Sequence, residues 1–454
     1  MPLTLRPSAC PGLLRIVPAL DGGICRIKLP GGELRPREAL AIADAAAQHA
    51  SGVIEATNRA NLQIRGVRPG HAAALSACLL QAGLGPQGDA QARDACMTLS
   101  ACDDIRNLMT SPLAGRDPQA LIDTTPLTAQ ILALLQDNPR FAALSPKFAL
   151  LLDGGERLAM LEHPHDIWLA AMRHESELFF AFGLAGCPPV AGSNAAPALA
   201  VVTPAQVPEL VTALLDTFLD LASPDDTRMR DLLVKQSCED IVRHVQQRVD
   251  FTLLRGPAVS AWRRTPSDAS LRLGAHSHGA TGMWHVGGQF PLGRLDPVML
   301  RGLAALAIEA GHATLRVTPW QGVLLPEISA SAVAHVLNRL TSLGLAIHPG
   351  DPLARVIACA GSTGCAKGHA DTKGDAHQLA RRLPPGVDVH LSGCERSCAA
   401  AHCAPYTLLA AAPARYDLYR RDGTPGFGRL VAHHLTIEQA ADSLEQLARS
   451  SIDA

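Results

Sequence analysis

Cys25-Arg26-Ile27-Lys28-Leu29-Pro30 and Trp284-His285-Val286-Gly287-Gly288-Gln289-Phe290 open the same succession of segments. In the first, a helical stretch starts at Pro36, then come Gly52-Val53-Ile54-Glu55-Ala56-Thr57 and Leu62-Gln63-Ile64-Arg65. In the second, a helical stretch starts at Pro297, then come Ala313-Thr314-Leu315-Arg316-Val317-Thr318 and Val323-Leu324-Leu325. A constant shift of 261 residues superposes the two without a gap, with Gly32/Gly293, Leu34/Leu295, Pro36/Pro297, Ala43/Ala304 and Thr57/Thr318 as identical pairs. The apolar period switches from two to helical and back, so each unit reads strand–helix–strand–strand. Pro36 and Pro297 suit a first helical turn, where a missing N–H costs nothing. The pattern predicts a duplicated α+β protein with pseudo-twofold symmetry and a ligand between its halves.

The halves differ in chemistry. Arg59 corresponds to Trp320 and Gln63 to Leu324. Arg26 and Lys28 fall on one face of their strand, opposite Cys25, Ile27 and Leu29, because side chains alternate. Their counterparts are Gly287 and Gln289, so the first half carries a basic, hydrogen-bonding lining that the second lacks.

Composition sets the bounds. A chain of 454 residues predicts two to four domains at about 100–200 residues each. With 47% hydrophobic and 18% charged residues, disorder is excluded as the dominant state. A net charge of −2 argues against nucleic acid as the main partner. No run reaches the roughly 18 apolar residues of a membrane span. Met1-Pro2-Leu3-Thr4-Leu5-Arg6-Pro7 lacks a signal-peptide layout, so the expected location is cytoplasmic. Disulfides are rare there, and 12 cysteines need another explanation. Cys10, Cys25, Cys78, Cys96, Cys102, Cys187 and Cys238 are scattered, as small core hydrophobes are. Cys359, Cys365, Cys394, Cys398 and Cys403 fall within 45 residues.

Cys359-x5-Cys365 is followed, after 28 residues, by Cys394-x3-Cys398. Two such pairs hold a zinc ion or an iron–sulfur cluster. Zinc favours two to four residues between paired cysteines. The longer first gap, with Gly361 and Gly364, suits a loop wrapped around a 4Fe–4S cluster, and Ser392-Gly393 marks a second turn. Zinc and unrelated buried thiols are the alternatives. Cys403 is a further possible ligand or a packing residue.

A Cys-x5-Cys pair followed by Cys-x3-Cys in a Ser-Gly-Cys-x-x-Ser-Cys context resembles the cluster signature of the sulfite and nitrite reductase superfamily. Thr57-Asn58-Arg59-Ala60-Asn61-Leu62-Gln63 resembles its Arg-x-Asn-x-Gln substrate segment. Asp104-Ile105-Arg106-Asn107 with Ser111-Pro112-Leu113-Ala114-Gly115, Ser145-Pro146-Lys147-Phe148-Ala149, and Asp371-Thr372-Lys373 resemble further stretches in order. The resemblance implies a duplicated sulfite/nitrite reductase-like architecture: ferredoxin-like half-domains at 8–80 and 255–345, a first α/β lobe at 85–250 and an iron–sulfur α/β lobe at 350–454. It also implies a 4Fe–4S cluster on Cys359, Cys365, Cys394 and Cys398.

Departures narrow the choice. Relatives that hold sirohaem place a second lysine where Ala149 stands, and the chain is short for them. Asp371-Thr372-Lys373-Gly374-Asp375-Ala376, and Cys398 followed by His402 and Pro405, resemble the precorrin-3B synthase branch of aerobic cobalamin biosynthesis. That resemblance implies oxygen-dependent hydroxylation of precorrin-3A at the meso carbon between rings A and D, with lactone formation. It also implies a mononuclear non-haem iron beside the cluster, and NADH as the source of electrons.

A tetrapyrrole fringed with carboxylates needs fixed cations, and the arginine fork binds carboxylate bidentately. Arg26, Lys28, Arg59, Arg106 and Lys147 are the candidate substrate-binding cations, with Asn61 and Gln63 orienting. His163, His165, His276, His278, His285 and His402 are conceivable iron ligands, and spacing selects none. The catalytic residue is not assigned. No Gly-x-Gly-x-x-Gly lies between a strand and a helix, so electrons are expected from a separate reductase or ferredoxin. The rival expectations are a sirohaem-dependent sulfite or nitrite reductase and a non-enzymatic iron–sulfur carrier or sensor.

Overall fold

The computed structural model describes residues 10–86, 99–193, 195–279, 282–311, 314–400, 404–424 and 426–452. The chain divides into one unit of Met1–Arg15, Arg26–Glu33 and Ser76–Ala269, and another of Ile16–Cys25, Leu34–Leu75 and Ser270–Ala454. No helix among the described residues is long and apolar enough to cross a membrane.

The repeat is realised element by element. Strands Gly22–Ile27 and Met283–Gln289 lead to turns at Pro30–Gly32 and Pro291–Gly293 and to short strands Glu33–Leu34 and Arg294–Leu295. Helices Pro36–His49 and Pro297–Glu309 follow, each with proline in the first turn. Hairpin strands Val53–Ala56 with Leu62–Val67, and Leu315–Val317 with Gly322–Ser329, then lead to helices Ala72–Gln81 and Val333–Ser342. Ala313 of the repeat pattern lies outside the described residues.

The two half-domains are not self-contained. The first sheet runs Val17–Ala19, Gly22–Ile27, Leu62–Val67, Val53–Ala56 and finally Arg294–Leu295 from the second repeat. The second runs Gly274–Ser277, Met283–Gln289, Gly322–Ser329, Leu315–Val317 and finally Glu33–Leu34 from the first. Each repeat thus covers the other's open edge with a two-residue strand, and an unpaired edge is a liability. In the first sheet Arg294 lies opposite Glu55 and Leu295 opposite Ile54. The helices Pro36–His49 and Pro297–Glu309 pack on each other. Small and aliphatic residues, Ala39, Ile42, Ala43 and Ala46 on one and Leu300, Leu303, Ala304 and Ala307 on the other, are buried.

The lobes share one topology. In the first, Leu108–Met109, Leu150–Asp153 and His165–His174 are parallel, then Glu177–Gly186 and Ala200–Val202 continue antiparallel. In the second, Val356–Ala358, Val389–Ser392 and Tyr406–Ala412 are parallel, then Arg415–Arg420 and Arg429–Leu435 continue antiparallel. Parallel neighbours need a crossover, and helix Thr372–Ala380 supplies it between the first two strands of the second lobe. Phe141, Phe180, Phe182 and Phe218 fill the first lobe's core, and Leu379, Leu391, Leu408, Tyr416 and Leu444 the second's.

The first lobe buries charge beside its sheet. Arg264 holds Asp153 at 2.7 and 3.1 Å. Burial, with the Asp153 carboxylate alongside, pushes the nearby Glu156 carboxyl up to about 8. Glu156 therefore keeps its proton in the folded chain at pH values where the unfolded chain has lost it. Its contribution is fully present below the ordinary value of 4.5 and is lost as pH rises through about 8. Denaturation midpoints of the wild type should fall between about pH 5 and about pH 8.5, and Glu156→Gln should flatten that slope. Parallel slopes in the two proteins would refute the assignment.

Candidate metal centre

Val356–Ala358 and Val389–Ser392 are neighbouring parallel strands. Cys359 follows the first directly, and Gly393-Cys394 follows the second. Loops at the carboxyl ends of adjacent parallel strands are where open α/β sheets place their ligands. Gly361 bends the Cys359–Cys365 loop at a φ of +64°, and a Cβ there would lie 2.7 Å from Ala370 O and Thr372 N. The Gly393 N–H donates to Cys359 Sγ at 3.1 Å, and Thr372 Oγ1 donates to Cys359 O at 2.8 Å. Cys359, Cys365 and Cys394 are half-buried, and Cys398 is exposed. What burial Cys398 has raises its thiol pKa, and Cys394, Cys359 and Cys365 push it the same way. Four soft donors at one sheet end, with a backbone N–H on sulfur, fit an iron–sulfur cluster. Cys403 lies outside the described residues.

A charged network packs behind this loop. Lys373, on the crossover helix, donates to Ala358 O at 2.9 Å and to Leu292 O at 2.7 Å. Arg65 donates to Gly364 O at 2.8 Å and pairs with Asp21 at 2.7 Å. Glu55 accepts from Gln63 Nε2 at 2.8 Å and from Arg294 at 3.0 Å. Burial pushes the Glu55 carboxyl up, but Lys373, Arg65 and Arg294 together hold it below its ordinary value. Burial pulls the Lys373 ammonium down to about 8, against Glu55. The sequence pattern singled out Lys373 only as part of a motif and gave no sign of Glu55, whose role depends on the exchanged strand.

The candidate substrate residues divide between the units. Arg59, Asn61 and Gln63 belong with the cysteines, whereas Arg26, Lys28, Arg106 and Lys147 belong to the other unit. Arg59 is half-buried on the Thr57–Asn61 turn, where Thr57 Oγ1 accepts from the Arg59 and Asn61 N–H groups at 3.3 and 3.2 Å. The neighbouring Asn58 Nδ2 donates to Cys398 O at 3.4 Å, so this turn adjoins the exposed Cys398. Gln63 is buried on Glu55, and Asn61 is buried. Arg26 is half-buried and Lys147 exposed.

Lys28 does not share a strand face with Arg26. The strand ends at Ile27, and Lys28 is buried with Nζ on Asp104 O. Arg106 is buried too, donating to Gly85, Lys28 and Leu84 carbonyl oxygens at 2.6, 2.9 and 3.0 Å. These two cations tie the chain together, a use that strand alternation and motif position do not reveal.

His278 and His285 are bonded at 3.1 Å, and His276 stacks on His285 at 5.2 Å. His163 and His165 lie 5.0 Å apart in the other unit. Among the described residues no three His, Cys, Asp or Glu side chains, the four thiols included, gather closely enough to hold one metal ion, so a cluster with one thiolate per iron suits the thiols better than a single ion. His402 lies outside the described residues.

Comparisons with known proteins agree with the fold. The nitrite/sulfite reductase ferredoxin-like half domain matches residues 18–82 and 276–343, the two repeats. The nitrite and sulphite reductase 4Fe-4S domain matches residues 101–253, the lobe without the cysteine pairs. The chain is 30% identical over 392 residues to a chloroplastic ferredoxin–nitrite reductase of Zea mays, covering 82% of this chain and 67% of that one. A rice counterpart is 28% identical, with 82% and 63% covered. A precorrin-3B synthase of Sinorhizobium sp is 26% identical over 468 residues, covering 99% of this chain and 91% of that one. The solved Mycobacterium tuberculosis NirA protein has the same fold, with a TM-score of 0.76 at 21% identity over 94% of this chain and 80% of that one. With its duplicated half-domains, its paired lobes and its ordered motifs all accounted for, the chain belongs to the nitrite and sulfite reductase family.

Proposed function

We propose that this oxidoreductase hydroxylates precorrin-3A, as a precorrin-3B synthase does, at the meso carbon between rings A and D. The ring A acetate then closes a lactone. One atom of oxygen enters the macrocycle and the other leaves as water, with two electrons drawn from NADH through a separate reductase or ferredoxin. The observation that carries this reading is extent. The Sinorhizobium precorrin-3B synthase aligns with 99% of the chain over 91% of its own length, whereas the chain spans only 67% and 63% of the maize and rice nitrite reductases. Ala149 supports it: the residue is buried, with its N–H on Asp166 at 2.8 Å, where sirohaem-holding relatives carry a lysine.

In this reading the cysteine-held cluster supplies electrons one at a time when bound. Arg59, on the turn whose Asn58 donates to Cys398 O, binds a substrate carboxylate. Arg26 and Lys147 stay candidate substrate cations of the other unit, in which Lys28 and Arg106 donate to backbone carbonyls. The mononuclear iron rests on resemblance alone and has no assigned ligands. The second reading, ferredoxin-dependent nitrite reduction, draws on the 30% identity to the maize enzyme.

Protein purified without oxygen should show a broad iron–sulfur shoulder and no sharp sirohaem bands, with iron exceeding sulfide. Sharp sirohaem bands would replace the hydroxylase reading by the reductase one. Cys359→Ser and Cys394→Ser should each lose most of that absorption and most of the sulfide. Arg59→Ala should keep the cluster but weaken tetrapyrrole binding by about tenfold or more, the scale of a lost charged hydrogen bond. Unchanged binding by titration calorimetry would remove Arg59 from the substrate site.

A further inference from the structure

Each member of the first cysteine pair follows a residue whose carbonyl oxygen is held by a buried cation. Lys373 Nζ lies 2.9 Å from Ala358 O, just before Cys359, and Arg65 Nη2 lies 2.8 Å from Gly364 O, just before Cys365. Both cations turn to one carboxylate: Glu55 Oε1 is 3.8 Å from Lys373 Nζ, and Glu55 Oε2 is 3.6 Å from Arg65 Nη1. Arg294 closes on Glu55 at 3.0 Å, and Asp21 closes on Arg65 at 2.7 Å. Three cations therefore face two carboxylates. The Lys373, Arg65 and Glu55 side chains are at most 8% exposed, so solvent screens them little.

Buried charge needs a partner, and an excess of positive charge needs an anion. A cluster held by four thiolates is such an anion, and one-electron reduction makes it more negative. Net charge near a cluster is one of the terms that sets its potential.

We propose that Glu55 is the hub of a charge-balancing network that tunes the cluster's reduction potential: Lys373, Arg65 and Arg294 favour the reduced cluster, and Glu55 offsets them. All four are positioning residues, since none supplies a ligand. The proposal rests on the iron–sulfur cluster and holds whether the electrons go to a precorrin or to nitrite. It gives the network opposite signs at its two poles, which a scaffold role would not.

The test is a redox titration of the anaerobically purified full chain, followed by electron paramagnetic resonance, with iron and sulfide counted on each sample. Glu55→Gln should raise the midpoint potential. Lys373→Gln should lower it by about tenfold in the reduction equilibrium, ~59 mV for a one-electron couple. Arg294→Gln should lower it by less, because that side chain is 38% exposed. Its exposure also makes Arg294→Gln the variant that decides if Lys373→Gln takes up no cluster. Shifts of one sign in all three variants, or intact clusters with no shift, would overturn the proposal in favour of a purely structural network. A wild type without iron and sulfide would overturn the cluster assignment itself.

Discussion

The pairing of Arg294 with Glu55 joins three levels of this structure. The two residues face each other across an antiparallel ladder, and their side chains form an ion pair at 3.0 Å. The backbone pairing exists only because the second repeat donates Arg294–Leu295 to the sheet of the first. A two-residue strand contributes little by itself. Its value lies in closing an edge and in delivering a guanidinium to a buried carboxylate that would otherwise be costly. That same carboxylate faces Lys373, whose ammonium holds the carbonyl before Cys359. Exchange of the strand, burial of the charge and placement of the Cys359 loop thus depend on one another.

Much of the fold is legible in the sequence because duplication doubles every signal. The gapless 261-residue shift aligns Pro36 with Pro297, and both start helices; Gly32 and Gly293 align, and both end short turns. The exchange itself is not legible. Leu34 and Leu295 are an identical pair, but an identity says nothing about which sheet a two-residue strand joins. Partner choice of that kind is set by tertiary packing, not by local periodicity.

The cysteine pairs are legible for a related reason: their spacing is a local property, and their loops start directly at strand ends. The cations are harder. Strand alternation put Lys28 beside Arg26, yet the strand stops at Ile27 and Lys28 bonds Asp104 O. Arg106 matches a motif position, yet its Nη groups donate to the Gly85, Lys28 and Leu84 carbonyls. A motif fixes that a cation is required, and burial then decides whether it serves backbone or ligand. Arg59, half-buried on the turn next to Cys398, is the candidate whose surroundings best fit a ligand role.

The two lobes show how far duplication constrains chemistry. Both carry three parallel strands followed by two antiparallel ones. In the second lobe the first two strands end at Cys359 and at Gly393-Cys394. In the first lobe the corresponding strands end at Thr110-Ser111 and at Gly154-Gly155, with Glu156 next. There Ser111 Oγ donates to Leu158 O at 2.6 Å, and Glu156 accepts from the Gly154 N–H at 2.9 Å. One strand-end geometry is thus closed by polar side chains in the first lobe and offers four thiols in the second. Topology supplies a place where loops converge. The side chains that reach it decide whether that place becomes a metal centre or a plug.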